Sequence, residues 1–365
     1  MPETSRLPMA GRVPALCALT AALVVLLALP LYVSAFWLNM GLFAMAAAVG
    51  AIGLTILLGA AGQLSLGHAF FVAVGTYGYA FLAGESGGGV SGLGLPPLLA
   101  AVLAVLLAGV CGLLFSPVSS RLRGIYLGIA SLGLVFLGHH LLQNMKPVTG
   151  GFEGRTVVPM SIGGFSFSDQ ADVTVLGVPF GAAESQWYLF LVVTVGAALL
   201  GRNVLRGRPG RALRLMRDSE IGAGAMGVDI RRTKAAVFVL SSMYAGAAGV
   251  LTALAFQRTV PDYFSLHLSV SYLVMVILGG LGSVGGAIAG AVFVVTLPLL
   301  FSRYADSLPF VTGAGGQGLD ASTAAQFVYG AVVIVAVIVQ PGGLAALAGA
   351  VRPLRSRRPA AAATP

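Results

Sequence analysis

Apolar runs of about 20 residues, the length that crosses ~30 Å of hydrocarbon as an α-helix, recur along the whole chain between short charged loops. A backbone inside a bilayer has no water to bond, so such a chain is confined to helices or to a closed barrel. A barrel would show alternating segments of about 10 residues, and none is present. Of the 365 residues, 57% are hydrophobic and 9% charged, with a mean hydropathy of +0.93. A soluble domain carries roughly 25% charged residues. The fold class is therefore all-α, a polytopic membrane helical bundle. Spans are expected at 14–34, 40–58, 68–83, 96–115, 124–143, 186–201, 234–256, 268–281, 287–301 and 326–340. That is about 10 crossings, within a range of roughly 8–10.

The net charge of +9 is unevenly placed. Basic residues gather at Arg6 and Arg12, at Arg121 and Arg123, between Gly201 and Lys234, and at Arg352, Arg355, Arg357 and Arg358. Eight of the 12 acids fall in the other set of loops: Glu85, Glu153, Asp169, Asp172, Glu184, Asp262, Asp306 and Asp320. The positive-inside rule makes the first set cytoplasmic and puts both termini there. Topology accounts for the charge, so nucleic-acid binding is not needed to explain it. Cys17 and Cys111 lie within apolar runs, which argues against a structural disulfide. The run from Val13 to Val33 exceeds a typical signal-peptide core, and the expectation is a retained anchor. The segment 144–185 is expected to pack over the extracytoplasmic mouth, and the basic tail at 346–365 to be disordered.

Nine of the 21 basic residues lie between Gly201 and Lys234. In their midst, Arg217-Asp218-Ser219-Glu220-Ile221-Gly222-Ala223-Gly224-Ala225-Met226-Gly227 reads as a short helix with internal acids, small residues and a glycine stop. Pro209 and Gly210 are expected to break the chain before it. Orientation alone requires positive charge but not such a helix. Its small residues would let another protein close over the backbone, with Arg217 and Glu220 making charge-assisted contacts as water leaves.

Two glycine-rich breaks follow apolar runs at corresponding places: Gly59-Ala60-Ala61-Gly62-Gln63-Leu64-Ser65-Leu66-Gly67-His68 and Gly279-Gly280-Leu281-Gly282-Ser283-Val284-Gly285-Gly286. Interrupted spans in matching positions point to a translocation path. A pair of tight cytoplasmic turns would give the same pattern. Gln63, Ser65 and His68 form the polar cluster at the first break, flanked by Gly62 and Gly67, with Gly279 and Gly282 at the second. Gly282, Gly286 and Gly290 suit close helix approach better than dinucleotide binding, because no strand–turn–helix context surrounds them. No metal site is expected, since no acid or cysteine is positioned beside the histidines. No Gly-Lys-Ser/Thr occurs, so any ATP must be handled by another subunit.

Five ordered blocks, from about residue 40 to 345, resemble the permease subunits of bacterial branched-chain amino acid ABC importers, of the type called LivM. They are Gly53-Leu54-Thr55 through His68-Ala69; Arg123-Gly124-Ile125-Tyr126-Leu127 with Thr149-Gly150-Gly151-Phe152-Glu153-Gly154; Gly210-Arg211-Ala212-Leu213 through Val228; Val276 through Ser283; and Gln340-Pro341-Gly342-Gly343-Leu344. The resemblance implies a permease domain over 1–345, with a cytoplasmic coupling helix at 211–228. It also implies a bacterial inner-membrane assembly with a second permease, cytoplasmic ATP-binding subunits and an extracytoplasmic solute-binding protein. No cofactor and no catalysis would belong to this chain. Arg217, Asp218, Glu220, Ile221, Ala225 and Gly227 would contact the ATPase, and Gln63, Ser65 and His68 would lie near the solute pathway.

Departures bear on the substrate. Phe136 stands where a glutamate is common, His139 where an arginine is common, and Arg155 where a hydrophobic residue is usual. A permease for urea or short amides is therefore an alternative. An ion-coupled secondary transporter is another, although it would be expected to carry charged groups within its spans, and these contain essentially none.

Overall fold

A computed structural model describes residues 24–304, except 123, 164, 168–172 and 176–177, together with parts of 327–345. Most of the first expected span with its reading as an anchor, much of the last span, the Gln340-Pro341-Gly342 turn and the 346–365 tail lie outside the described residues.

The chain enters through α1 (residues 24–32) and continues into α2 (Ala35–Leu54), which passes without interruption into a π-helical turn over Thr55–Ala60. Then come α3 (His68–Ala83), α4 (Pro97–Arg121) and α5 (Ile125–Asn144). A short α6 (Lys146–Thr149) opens the long loop, and α7 (Ala182–Arg206) follows it. The basic segment holds α8 (Arg208–Asp218) and α9 (Glu220–Ala225), and α10 (Ile230–Phe256), α11 (Leu266–Gly279) and α12 (Val284–Tyr304) complete the bundle. Among the described residues, six helices are long and apolar enough to cross a membrane, and α3 and α11 are shorter apolar helices. At 1.5 Å per residue, α3 and α11 reach only about 24 and 21 Å. The other two expected runs fall largely outside the described residues, so the count of ten is not reached there.

Several helices overrun the apolar runs that announced them. The segment expected at 186–201 is helical over Ala182–Arg206, because Arg202 and Arg206 can extend their stems along apolar surface and keep their charged heads in water.

Helix α10 occupies the centre, packed by α2, α3 and α4, while α12 and α7 flank α2 and α11 lies against α12. Small residues permit this density. A Cβ at Gly249 would stand 2.1 Å from the Val72 carbonyl oxygen, and one at Gly75 would stand 2.2 Å from that of Gly246. Thr76 Oγ1 donates to the Gly249 carbonyl (2.7 Å), so the α3–α10 seam carries a hydrogen bond as well. Outer faces of α4 and α5 keep Leu106, Leu113, Ile129 and Phe136 exposed, as surfaces toward lipid or another subunit require.

The long loop is less irregular than its composition suggested. Three antiparallel two-stranded pairs form at one end of the bundle: β1 (Arg155–Thr156) with β6 (Arg258–Thr259), β2 (Ser161–Ile162) with β3 (Phe165–Ser166), and β4 (Val173–Val175) with β5 (Val178–Phe180). The β1–β6 pair ties the loop to the end of α10, reinforced by Val157 N–H donating to the Gln257 carbonyl (2.8 Å) and by Tyr79 Oη donating to that of Val158 (2.9 Å). Val157 and Met160 are buried beneath this cap. The all-α description holds for the membrane bundle, and the cap adds these short strands.

A Cβ at Gly59 would lie 2.3 Å from the backbone nitrogen of Gly282, whereas one at Gly133 meets nothing within 4 Å. Gly59→Ala should therefore lower stability by about 1–3 kcal/mol through overpacking. Gly133→Ala should leave the melting temperature in detergent unchanged or slightly raised, and thermal unfolding of the two purified variants checks the contrast.

Candidate functional site

The first break is a buried return of the chain. After the π-helical turn, residues 62–67 leave helical structure and lead into α3. His68, the first residue of α3, donates from Nε2 to the carbonyl of Gly50 (3.0 Å), in the last third of α2. Gly50 is ten residues before Ala60. The chain has thus climbed back roughly 15 Å into the bundle before α3 starts. Non-helical backbone at that depth must find partners in the protein. Gly62 and Gln63 N–H groups donate to the Leu58 and Leu57 carbonyls, each at 3.1 Å. Leu66 N–H reaches Ser131 Oγ on α5 (2.8 Å), Gly67 N–H reaches Ser65 Oγ (3.3 Å), and Ala69 N–H reaches Ser269 Oγ on α11 (3.0 Å). The His68 ring also meets Tyr272 edge-on, with centroids 4.8 Å apart. Gln63 is buried, yet neither end of its amide has a protein partner.

The second break is a tight turn at 280–283 between α11 and α12, with Gly280 and Gly282 at positive φ. Small residues then bring the two helices together: a Cβ at Gly286 would stand 2.1 Å from the Gly279 carbonyl oxygen, and one at Gly290 2.0 Å from that of Met275. Gly282 belongs to the turn and not to this ladder. Its N–H donates to Thr55 Oγ1 in the π-helical turn (3.3 Å), and its backbone lies against Gly59. The two breaks therefore meet face to face.

The basic segment joins them. The expectation of one helix over 211–228 is corrected: α8 ends at Asp218 and α9 begins at Glu220, with Ser219 extended between them. Ser219 Oγ caps α9 by accepting from Gly222 N–H (3.1 Å). Pro209 and Gly210 do not break the chain, since they lie in the first turn of α8, where a missing N–H costs nothing. The break comes earlier, at the extended Gly207. Leu213 and Met216 bury one face of α8. Arg217 lays its stem 3.1 Å from where a Gly62 Cβ would stand and donates from Nη1 to the Gly59 carbonyl (2.5 Å). One guanidinium thus holds an open carbonyl of the first break, beside the second.

Other members of the segment divide into inward and outward groups. Glu220 Oε1 lies 2.7 Å from Lys234 Nζ at the start of α10, and Lys234 is only 4% exposed. Glu220 therefore anchors α9 to the bundle, a role that its reading as an outward contact did not include. Ile221 and Met226 point away, 87% and 74% exposed, among Gly224, Ala225 and Gly227, which are also exposed, as is Asp218. Of the expected pathway residues, Gly62, Gln63, Ser65, Gly67 and His68 share the first break, and Gly282 and Gly279 line the second. Sequence reasoning gave no packing role to Thr55, Ser131, Ser269 or Lys234. Thr55 and Ser131 are single polar residues within apolar runs, which is the available signal for a helix-to-helix hydrogen bond, whereas Ser269 lies between His267 and Ser271 and Lys234 follows Arg231, Arg232 and Thr233, so neither stands out. Glu220→Gln would leave the Lys234 ammonium buried without its partner, a loss of about 3 kcal/mol. Thermal unfolding should show that loss largely recovered in the double variant Glu220→Gln/Lys234→Met.

Comparison with known proteins places this geometry. A family model described as the branched-chain amino acid transport system / permease component matches residues 36–337. The chain is 31% identical over 288 residues to the high-affinity branched-chain amino acid transport system permease protein LivM of Escherichia coli (strain K12), covering 76% of this chain and 66% of that protein. It is 25% identical over 269 residues to LivH of Salmonella typhimurium, covering 70% and 81%, and 31% identical over 216 residues to the autoinducer 2 import system permease protein LsrD of Enterobacter sp., covering 58% and 60%. The solved structure of PsaBC from Streptococcus pneumoniae in complex with Fab aligns over 82% of this chain and 89% of that chain, at 16% identity and a TM-score of 0.41. The chain spans just under two thirds of the length of the LivM relatives, 66%. This is a multi-pass membrane protein, and the chain belongs to the family of branched-chain amino acid transport permease components.

Proposed function

We propose that this chain is the membrane-spanning permease subunit of an ATP-driven importer for small polar solutes, branched-chain amino acids first among them. The observation that carries the proposal is the Arg217 hydrogen bond to the Gly59 carbonyl, which links a surface helix pair directly to two abutting interruptions of the bundle. Family membership supports the same reading, and the names of LivM and LivH supply the solute class.

In this account the basic segment faces the cytoplasm and the strand-bearing cap faces outward. The eight apolar helices, with the runs at 14–34 and 326–340, make ten crossings and return both termini to the cytoplasmic side. A second permease, two ATP-binding subunits and a solute-binding protein complete the assembly. Ile221, Met226 and the small residues between them form the docking knob, with Asp218 at its edge. When the ATP-binding subunits close, the displaced α9 carries Lys234 through Glu220 and moves the first break through Arg217. Gln63, with its unpartnered amide, and Ser65 and His68 beside it then lie where the path opens. The chain itself performs no covalent chemistry; hydrolysis belongs to its partners.

The test is reconstitution in proteoliposomes with the partner subunits and binding protein. Uptake of leucine should require ATP, and uptake driven by an ion gradient without ATP would refute the proposal. Ile221→Asp should abolish co-purification of the ATP-binding subunits while leaving the melting temperature unchanged. Arg217→Ala should retain the partners but slow uptake about tenfold, the value of one charged hydrogen bond.

A further inference from the structure

At the capped end of the bundle, three buried polar side chains converge, each with one donor that has no hydrogen-bond partner. Antiparallel pairing sets Arg155 on β1 directly opposite Thr259 on β6. Directly opposite residues project from the same face of such a pair, with Cβ atoms about 5 Å apart. Tyr77 of α3 completes the group: its hydroxyl lies against that of Thr259, close enough to interact but outside good hydrogen-bond geometry, and within electrostatic reach of Arg155 and Asp262, and its ring is held edge-on by Phe264 at 5.8 Å. Arg155, Thr259 and Tyr77 are 5%, 1% and 3% exposed, and Arg155 Nε, Thr259 Oγ1 and Tyr77 Oη have no hydrogen-bond partner.

The guanidinium is fixed before any ligand arrives. Arg155 Nη1 donates to the Ser91 and Val148 carbonyls at 3.0 and 2.7 Å, which leaves the Nε edge free. Burial pushes its pKa below the ordinary value, yet no carboxylate among the described residues pairs with it. A buried cation without a counter-ion and two buried hydroxyls without partners are each costly. One guest removes all three costs. A carboxylate offers about four lone-pair sites, and this cluster offers three donors. On the rim, His139 Nε2 and Asp262 Oδ1 stand 3.7 Å apart, and the Asp262 side chain is 75% exposed. A carboxylate bound at Arg155 would thus have an acidic group close by to receive an ammonium.

We propose that Arg155, Thr259 and Tyr77 form a binding site for the α-carboxylate of the solute, with Asp262 receiving its ammonium. The identity of the guest as an amino acid rests on the permease reading; the anion site rests on the unpartnered donors alone. The depth of the cluster favours a small free carboxylate over an acidic side chain of a docked protein.

Saturation-transfer NMR on the purified full-length permease complex, without binding protein, separates the possibilities. Leucine and isovalerate, which carry the carboxylate, should show saturable binding, and isoamylamine, which lacks it, should not. Thr259→Val and Tyr77→Phe keep the shape of the site, and each should weaken isovalerate at least about tenfold. Both should melt no lower than the parent does, since each removes a buried hydroxyl without a good partner, whereas Arg155 variants lose the two carbonyl bonds and serve poorly. Absence of saturable isovalerate binding to the folded complex, or binding unchanged in both hydroxyl variants, overturns the site and marks the cluster as hydrated structure. Isovalerate binding without ATP-driven leucine uptake would sink the permease reading and leave the anion site standing. Uptake with an unmoved KM in both variants would do the reverse.

Discussion

A backbone inside hydrocarbon must satisfy its own hydrogen bonds, and the distinctive parts of this protein lie where a helix stops doing so. Between Thr55 and His68 the α-helical ladder is interrupted, and the open groups find partners on four other elements. Ser131 of α5 and Ser269 of α11 accept from Leu66 and Ala69 N–H groups, Gly282 donates to Thr55, and Arg217 of α8 takes the Gly59 carbonyl. An unsatisfied group there would cost several kcal/mol. Each bond is therefore a constraint on where a neighbouring helix sits, and together they make the break the point at which the bundle is knotted.

That constraint gives the basic segment its second role. Arginine suits the join because its guanidinium is always charged and reaches far on an apolar stem. The stem crosses Gly62, where there is no side chain to obstruct it, and the head arrives at Gly59. Glu220 and Lys234 form a second tie, from α9 to the first turn of α10, the helix at the centre of the bundle. Force applied to α9 from outside thus enters along two routes, one into the break and one into the central helix. Ser219, which separates the two short helices, lets α9 present Ile221 and Met226 outward while α8 keeps Leu213 and Met216 buried.

How much of this was legible in the sequence followed the range of the interaction. The spans were legible because each apolar run carries its own signal. The two breaks were visible in the repeated leucine-glycine patterns, but the contact between Gly59 and Gly282 joins residues far apart in the chain, and no local pattern encodes it. Tight turns and a buried return are alike in composition; the second break proved a turn and the first a return, a difference decided by the bond from His68 to Gly50. Glu220 looked like an outward charge because the burial of Lys234 is a tertiary fact. Arg155 stood out only as a departure from a pattern, and its situation opposite Thr259 awaited the strand pairing.

The central claim is mechanical: α9 and the first break move as one body. Spin labels at Ala225 on α9 and Leu64 in the break, with a third at Leu114 on the outer face of α4, measure it directly in the assembled transporter by pulsed electron resonance. On ATP binding the Ala225–Leu64 distance should stay constant while both labels shift relative to Leu114. A change in the Ala225–Leu64 distance, with Leu64 fixed against Leu114, would show that the helix pair moves without the break and would contradict the account.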